Sequence, residues 1–266
     1  MKNEDLKKIY DAAYSRGEGN HYTRLLFSGG KLTEDKKAVL NLIKWKGKKV
    51  LDMGCGTGEM AYLIAKKKAL SVHGVDFSSE AILAAKSKYQ LSNLEYRVGD
   101  LKEIKGRYDV IVSMGTLEHT DDPFQILKSQ KKLLTESGEL VLTCPNWINP
   151  RGYILQTLAK LFDAKITLAD LHYLTPVEFE LWAKKLNMKL SWKTVDHDWA
   201  HGRKLVADLS RRIPNVLRDS NLLVPQTRID EFVSWIDTHV VPFEKNAKHG
   251  GVTGVYCLTK KYGQST

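Results

Sequence analysis

A turn with three alternating glycines separates a short apolar segment from a segment with helical periodicity. The glycines are Gly54, Gly56 and Gly58. The apolar segment 49–51 predicts a β-strand, and residues 59–67 predict a helix. Glycines at such a turn let the backbone approach a ligand that any Cβ atom would push away. A second apolar run, 70–75, ends at Asp76, whose carboxylate can accept two hydrogen bonds from a ribose diol. The two segments predict a nucleoside-containing ligand at the ends of adjacent parallel strands.

The spacing of the glycines and a neighbouring acid indicate which nucleoside this is. The dinucleotide fingerprint is Gly-x-Gly-x-x-Gly, with a pyrophosphate at the helix N-terminus. Here the spacing is Gly-x-Gly-x-Gly, and Asp52 precedes it. A carboxylate at that position would repel a pyrophosphate but suits a ligand with an ammonium group. S-adenosyl-L-methionine has an α-amino group, a sulfonium and a ribose but no phosphate, so we expect it as the cofactor, with S-adenosyl-L-homocysteine as the product.

The next hundred residues alternate between strand and helix patterns. The predicted strands are 94–98, 108–113 and 138–144, and the predicted helices between them are 79–89 and 123–134. Strands that alternate with helices of 10–15 residues predict right-handed βαβ units and a doubly wound α/β sheet. The strand 108–113 is almost entirely apolar, as expected for a parallel sheet that is covered on both faces. Asp100 follows the strand 94–98, where its carboxylate can reach an adenine amino group.

These motifs resemble those of the class I S-adenosylmethionine-dependent methyltransferases over residues 48–146. The matching segments are 50–58, 74–76, 99–100, 108–109 and 117–119. From Met114 onward, the sequence is most similar to the ubiquinone-pathway O-methyltransferases and related small-molecule enzymes. The resemblance implies a mostly parallel seven-stranded, Rossmann-like sheet with a helical N-terminal segment and an inserted cap.

The resemblance also implies a set of cofactor-binding residues. Gly54 and its neighbours would lie under the methionine part, Asp76 would bind the ribose, and Met114 would lie near the reactive end. Asp100 and Leu101 would contact the adenine. The full expected set is Asp52, Gly54, Cys55, Gly56, Gly58, Asp76, Phe77, Asp100, Leu101, Met114 and His119.

Composition and charge set limits on the class of protein. With 266 residues, 42% of them hydrophobic, the chain can bury a full core in one domain with an appended cap. We expect a cytoplasmic protein, because the N-terminus lacks an apolar signal core, no apolar run is long enough for a membrane span, and the three cysteines form no paired framework. The net charge of +10 comes from scattered lysine pairs and triplets, which favours a solvated surface over binding to nucleic acid or an anionic membrane. The oligomeric state stays open.

By the same resemblance, the segment before residue 48 and the insertions after residue 146 are expected to contact the methyl acceptor. Residues 1–47 predict a helical lid, with Tyr10, Tyr14 and Tyr22 as substrate contacts or, alternatively, as packing aromatics. A helix is expected to begin after Thr33, a good N-cap residue. The last strand and tail occupy 252–266.

Residues 147–251 predict substrate-side insertions, with Trp147 and Tyr173 as candidate contacts. The amphipathic helix 153–162 can cover an apolar substrate, touch a membrane surface or pack on the core. The further predicted elements are a helix over 177–186 after Thr175-Pro176, a sixth strand over 189–195, helices over 200–211 and 228–240, and a last strand over 252–259.

A methyl acceptor with a hydroxyl group benefits from a general base, and histidine has a suitable pKa range. The candidates are His119, His172, His197 and His201. His172 is favoured as the base, since it precedes the helix 177–186 where a side chain can point back toward the methyl group. His119 is the second catalytic candidate, with a structural or cofactor-proximal role as the alternative. His197 is flanked by acids, but no other residue at metal-ligand spacing supports a metal site.

Three functions are compatible with these patterns. The favoured one is a methyltransferase that modifies an oxygen or nitrogen of a small molecule, such as a quinone precursor, a natural product or a sugar-linked metabolite. The second is a methyltransferase that acts on RNA or protein, which the basic charge motivates. The third is a non-catalytic module that keeps the fold for cofactor sensing or assembly.

Overall fold

The computed structural model describes residues 32–100, 103–167, 169–243 and 249–260. The described residues form seven strands: β1 (Lys49–Met53), β2 (Ser71–Asp76), β3 (Leu94–Val98), β4 (Tyr108–Met114), β5 (Leu134–Pro145), β6 (Met188–Val195) and β7 (Thr253–Lys260). The α-helices of the same residues are α1 (Glu34–Leu42), α2 (Glu59–Lys66), α3 (Ser79–Lys88), α4 (Pro123–Lys132), α5 (Pro150–Phe162), α6 (Pro176–Lys185), α7 (Gly202–Asp219) and α8 (Gln226–Trp235). Tyr10, Tyr14, Tyr22 and Leu101 lie outside the described residues.

The strands form one sheet in the order β3-β2-β1-β4-β5-β7-β6. β1 to β5 are parallel, and β7 lies antiparallel between β5 and β6. This arrangement confirms the predicted doubly wound, mostly parallel α/β sheet. The strand order reverses between β1 and β4, so a crevice for a ligand is expected outside the carboxyl ends of these two strands.

Helices cover both faces of the sheet. On one face α1, α2 and α3 bury Val39, Ile64 and Ile82. On the other face α4 and α6 bury Leu127 and Phe179, and the Phe179 ring stacks on Tyr256 of β7 with 3.7 Å between ring centroids. β4 lies between two parallel neighbours and is buried along most of its length, as its apolar sequence predicted.

Two predicted helix N-termini differ in how they are capped. Before α6, the Thr175 hydroxyl accepts a hydrogen bond from Val177 N (3.3 Å), and Glu178 accepts one from Thr175 N (2.7 Å). This capping box confirms the start signal in Thr175-Pro176. Thr33 is the N-cap residue of α1, as predicted, but its side chain makes no capping hydrogen bond.

The inserted segments form a separate helical layer, called here the cap, which consists of α5, α7 and α8. Its apolar core includes Leu205, Leu209 and Ile213 of α7 and Ile229 and Val233 of α8. No described helix is long and apolar enough to cross a membrane. Cys55, Cys144 and Cys257 are all buried and free, as predicted.

Candidate functional site

The glycine turn is fixed to the end of β2 by backbone hydrogen bonds. Gly54 N and Cys55 N both donate to Val75 O, at 2.8 and 3.1 Å. The three glycines have positive φ angles, 73° for Gly54, 51° for Gly56 and 82° for Gly58. This left-handed conformation is costly for any residue with a Cβ atom. The turn therefore has one well-defined path across the carboxyl ends of β1 and β2.

Side chains of the protein already occupy the space beside two of these glycines. A Cβ atom on Gly58 would lie 2.6 Å from the Tyr96 ring, and one on Gly54 would lie 2.6 Å from Thr116 Oγ1. The Tyr96 hydroxyl also donates to Gly58 O (2.8 Å). Gly54 and Gly58 are thus required for packing inside the protein, in addition to any approach of a ligand.

Asp76 lies at the end of β2 with its carboxylate directed at the turn. Its two oxygens accept hydrogen bonds from Gly56 N (2.8 Å) and Ser78 N (2.9 Å). These two bonds orient the carboxylate toward the turn. Phe77, the next residue, is 38% exposed and offers a ring face beside this acid.

Asp52 is a buried acid beneath the turn. Burial and, to a lesser extent, the charge of Asp76 raise the pKa of Asp52 to about 7, although a hydrogen bond from the Ala61 backbone and the charge of Lys36 oppose this shift. Among the described residues, its Oδ2 has no hydrogen-bond partner. A cationic group placed nearby would therefore stabilise the ionised form of Asp52.

The ends of β3 and β4 complete this side of the crevice. Gly99 N donates to Asp76 O (3.0 Å), so Asp100 follows directly beside Asp76, and Asp100 is exposed. Met114 ends β4 and is partly buried against the core, and the Thr116 hydroxyl donates to Met114 O (3.1 Å).

The turn that follows β4 is joined to the segment before α6. Leu171 N and His172 N both donate to Glu118 O, at 2.8 and 3.1 Å. Nδ1 of His119 lies 3.1 Å from Ala169 O and 3.4 Å from Asp170 Oδ1. These contacts bring residues 117–119 next to the segment 169–172, which contains the favoured candidate base His172.

The hydrogen bond of His172 determines which of its nitrogens can accept a proton. Nε2 lies 2.9 Å from Thr120 O, and a carbonyl oxygen can only accept, so we assign the proton to Nε2. In the neutral imidazole, Nδ1 then carries the free lone pair.

Two acids near these histidines are buried. Burial raises the pKa of Glu118 to about 8. Burial also raises the pKa of Asp170, and the adjacent His119 opposes that shift. Glu118 is therefore mostly protonated at neutral pH, and Asp170 is held against His119.

A cleft of about 450 Å³ opens beside His172. It is lined by Asp121, Asp122, Pro123, Phe124, His172, Tyr173, Leu174, Glu178 and Trp182. Trp147 does not line this cleft: it is 4% exposed and packs edge-on against Tyr173, with 5.2 Å between ring centroids.

His197 and His201 lie in the connection after β6, where His197 Nε2 is 3.3 Å from Thr194 O.

Two buried asparagines after β5 were missed by sequence reasoning. Asn146 Nδ2 donates to Gly251 O (2.6 Å), and Asn149 Nδ2 donates to the same oxygen (3.0 Å). Asn149 also caps α5, because its Oδ1 accepts from Gly152 N (2.7 Å). An Asn directly before a Pro is a recognisable helix start signal, but the pairing with Gly251 has no local signature.

An ion cluster links α5 to α7, and it was missed as well. The buried Asp208 carboxylate contacts Arg151 Nε (2.7 Å), Arg211 Nη2 (3.0 Å) and Arg212 Nε (3.1 Å). Burial alone would raise the pKa of Asp208, but the charges of Arg151 and Arg212 hold it at about 2. Asp208 is therefore ionised at any pH at which the protein would be assayed.

The sheet order, the antiparallel β7, the glycine turn after β1 and the acid at the end of β2 define the Rossmann-like methyltransferase class. A family model described as a methyltransferase domain matches residues 44–201. The chain belongs to this family and is an S-adenosylmethionine-dependent methyltransferase.

Two ubiquinone biosynthesis O-methyltransferases are similar to this chain over more than half of its length. The ubiquinone biosynthesis O-methyltransferase of Coxiella burnetii is 31% identical over 186 residues, which cover 66% of this chain and 78% of that protein. The enzyme of the same name from Acinetobacter baylyi is 28% identical over 162 residues, or 57% of this chain and 67% of that protein.

Solved structures share the fold at low sequence identity. The magnesium protoporphyrin IX methyltransferase of Synechocystis, solved with bound S-adenosylhomocysteine, has a TM-score of 0.61 at 12% identity and covers 98% of this chain and 100% of its own. An S-adenosylmethionine-dependent methyltransferase from Thermotoga maritima has a TM-score of 0.59 at 14% identity, with 94% and 99% covered.

Proposed function

We propose that this enzyme transfers a methyl group from S-adenosyl-L-methionine to an oxygen or nitrogen of a small-molecule acceptor. The observation that carries the proposal is the contact between the turn after β4 and the segment before α6, which brings His119 and His172 to the carboxyl edge of the sheet. The names of the relatives support an oxygen acceptor. A quinone precursor, a natural product and a sugar-linked metabolite are the acceptor classes to test.

The residues around the glycine turn fit this cofactor. Asp52 would stabilise the positive charge of the methionine part, since its buried Oδ2 has no partner among the described residues. Asp76 would accept hydrogen bonds from the ribose diol. Asp100 would reach the adenine amino group, and the exposed ring of Phe77 would lie against the adenine. The remaining proposed contacts are Gly54, Cys55, Gly56, Gly58, Leu101 and Met114.

The bound cofactor supplies a methyl group that is already electrophilic because it is attached to a sulfonium. The chain's own residues therefore have to hold the acceptor in line with that methyl group and exclude water. Tyr10, Tyr14 and Tyr22 are proposed to act on the acceptor side, together with Trp147 and Tyr173.

His172 is the proposed general base. Its Nε2–H is held by Thr120 O, so Nδ1 is free to accept a proton from an acceptor hydroxyl as the new bond forms. His119 is the second catalytic candidate. Because its Nδ1 contacts Ala169 O and Asp170, it is better suited to positioning the segment 169–172 than to taking the proton itself.

A transfer assay with labelled cofactor tests the proposal. The purified protein is incubated with methyl-labelled S-adenosylmethionine and a small-molecule extract of the source organism, and the same extract without protein is the control. We expect label in a low-molecular-weight product. Label that appears only in RNA or protein when total lysate is supplied would contradict a small-molecule acceptor.

A further inference from the structure

Arg151 is the second residue of α5 and lies at the same edge of the sheet as the glycine turn. α5 follows directly after β5, and β5 is parallel to β4, so their carboxyl ends share this edge. Residues 146–151 therefore lie on the acceptor side of the sheet, beyond the end of β5.

The backbone around Arg151 is rigidly held. Asn149 accepts a hydrogen bond from Gly152 N and donates one to Gly251 O. A Cβ atom on Gly152 would lie 2.1 Å from Trp147 O, so the turn before the helix is tightly packed. A side chain on such a support loses little further freedom when it binds a ligand.

The guanidinium group of Arg151 is fixed at one end and open at the other. Nε donates to the buried Asp208 carboxylate at 2.7 Å. Within residues 32–100, 103–167, 169–243 and 249–260, neither Nη1 nor Nη2 of Arg151 has a hydrogen-bond partner. The side chain keeps 14% of its surface exposed. Two parallel N–H donors in this position match the geometry of a carboxylate or a phosphate.

The surrounding charge also favours an anion. Three guanidinium groups, those of Arg151, Arg211 and Arg212, contact the carboxylate of Asp208. Burial and the charge of Arg212 lower the pKa of Arg151, whereas the charge of Asp208 raises it. A second anion beside Arg151 would offset the repulsion between Arg151 and Arg212.

Other residues connect the cluster to the proposed catalytic groups. The positive charges of Arg151 and Arg212 both lower the pKa of Asp170. Asp170 in turn lies 3.4 Å from His119 Nδ1. The guanidinium of Arg151 also lies over the ring of Trp147, 6.0 Å from its centroid, and that ring packs against Tyr173.

We propose that Arg151 binds an anionic group, a carboxylate or a phosphate, on the methyl acceptor. This inference rests on the proposed function and narrows it, because it assigns the acceptor to the class of acidic small molecules. Asp208 and the capped start of α5 hold the guanidinium in place, and Arg212 adds positive charge beside it.

Calorimetry with three aromatic probes tests the inference. The protein is first saturated with S-adenosylhomocysteine and then titrated with benzoate, phenyl phosphate or benzyl alcohol, which present a carboxylate, a phosphate and a neutral hydroxyl. We expect at least one of the two anions to bind, and the tighter of them identifies the preferred group. Arg151→Gln should weaken that binding by at least about tenfold, because charge-assisted hydrogen bonds are lost. Benzyl alcohol should show no such difference.

Control variants separate binding from folding. Arg218→Gln removes an exposed arginine of α7 that pairs with its neighbour Asp219, and it should leave anion binding unchanged. If Arg151→Gln is unfolded at the assay temperature, Arg151→Lys is measured instead, because it keeps the positive charge but lacks the two parallel N–H donors of the guanidinium. Weaker anion binding than in the wild type then supports the inference, and unchanged binding overturns it.

Two outcomes overturn the inference while the proposed function stands. One is equal anion affinity in the wild type and Arg151→Gln, and the other is binding of neither anion to the wild type. Failure of S-adenosylhomocysteine to bind in the first step would contradict the proposed function itself.

Discussion

The two sides of the crevice are stabilised in different ways. On the cofactor side, the turn after β1 is defined by its backbone, with three glycines at positive φ and hydrogen bonds to the end of β2. On the side that we propose for the acceptor, the start of α5 is defined by contacts between distant segments, such as Asn149 with Gly251 and Arg151 with Asp208. The backbone constraints of the glycine turn come from residues that are close together in the sequence. The contacts at the start of α5 join segments that only folding brings together.

The buried acids on the two sides of the crevice also differ in their charged partners. Asp52 on the cofactor side is an acid without a nearby cation at hydrogen-bonding distance among the described residues, and its pKa is raised. Asp208 on the acceptor side has three arginine partners, and its pKa is lowered. We therefore expect the cofactor side to gain from a positively charged ligand and the acceptor side from a negatively charged one.

The largest effect on stability is expected at the acceptor side. Asp208→Ala would leave the buried Arg151 facing two other cations, and loss of one partner of a buried ion pair costs about 3–5 kcal/mol. Chemical denaturation should detect this loss, and the affinity for S-adenosylhomocysteine should be unchanged. Asp219→Ala is the matched control, because that acid is exposed on the same helix, and it should change stability by less than about 0.5 kcal/mol. Equal losses in both variants would contradict the role of the cluster.

A large effect on ligand binding is expected at the cofactor side. Asp76→Ala should weaken binding of S-adenosylhomocysteine by about a hundredfold, since two charge-assisted hydrogen bonds to the ribose are lost. Calorimetry measures the dissociation constant directly. Asp121→Ala, which alters only the cleft beside His172, should bind the cofactor product normally. Unchanged affinity in Asp76→Ala would exclude Asp76 as the ribose ligand.

A comparison of two glycines with similar φ angles separates the cost of overpacking from the cost of a left-handed backbone. Gly58 and Gly47 have φ angles of 82° and 75°, but only Gly58 has a side chain in the space of a Cβ atom. Both alanine variants should lose about 1 kcal/mol because of the left-handed backbone. Gly58→Ala should lose about 1–3 kcal/mol more through overpacking against Tyr96. Thermal unfolding of the two variants compares these costs, and equal losses would show that Tyr96 can move aside.

A pH dependence of the folding stability is expected from Asp52. The folded state raises its pKa from 3.8 to about 7, so the folded protein binds a proton that the unfolded chain releases. The stability from this proton is fully present below pH 3.8 and is lost as the pH rises to about 7. Denaturation without ligand should therefore show stability falling over this range in the wild type and less so in Asp52→Asn.

The same group predicts the opposite trend for ligand binding. The ammonium group of a bound ligand favours ionised Asp52, so the affinity for S-adenosylhomocysteine should rise by up to about tenfold between pH 6 and pH 8. Asp52→Asn should reduce this dependence. An equal slope in both proteins would assign the effect to another group.

The sequence predicted the cofactor side well because its signals are local. The strand expected at 94–98 is β3 itself, and the runs before and after the glycine turn are β1 and α2. The spacing of the glycines predicted the approach of a ligand but not the role of Gly54 and Gly58 in packing. Their contacts with Tyr96 and Thr116 come from segments far along the chain, so the motif alone gave no sign of them.

The cap was predicted less well because its elements depend on tertiary packing. The helix expected to end at residue 211 continues as α7 to Asp219 through Pro214. Ile213, Val216 and Leu217 are buried around this proline, and their packing outweighs its local cost of about 3 kcal/mol. The pair of Arg151 and Asp208 spans 57 residues and follows no periodic pattern.

The rate of methyl transfer at saturating cofactor tests the central claim, which is that the glycine turn binds the cofactor and the segment around His172 serves the acceptor. Asp76→Ala should recover most of the wild-type rate under this condition, because excess cofactor compensates for weak binding. His172→Ala should stay slower by about two orders of magnitude, because no concentration of cofactor replaces a general base. A wild-type rate in His172→Ala, or a loss in Asp76→Ala that persists when cofactor binding is saturated, would contradict the account.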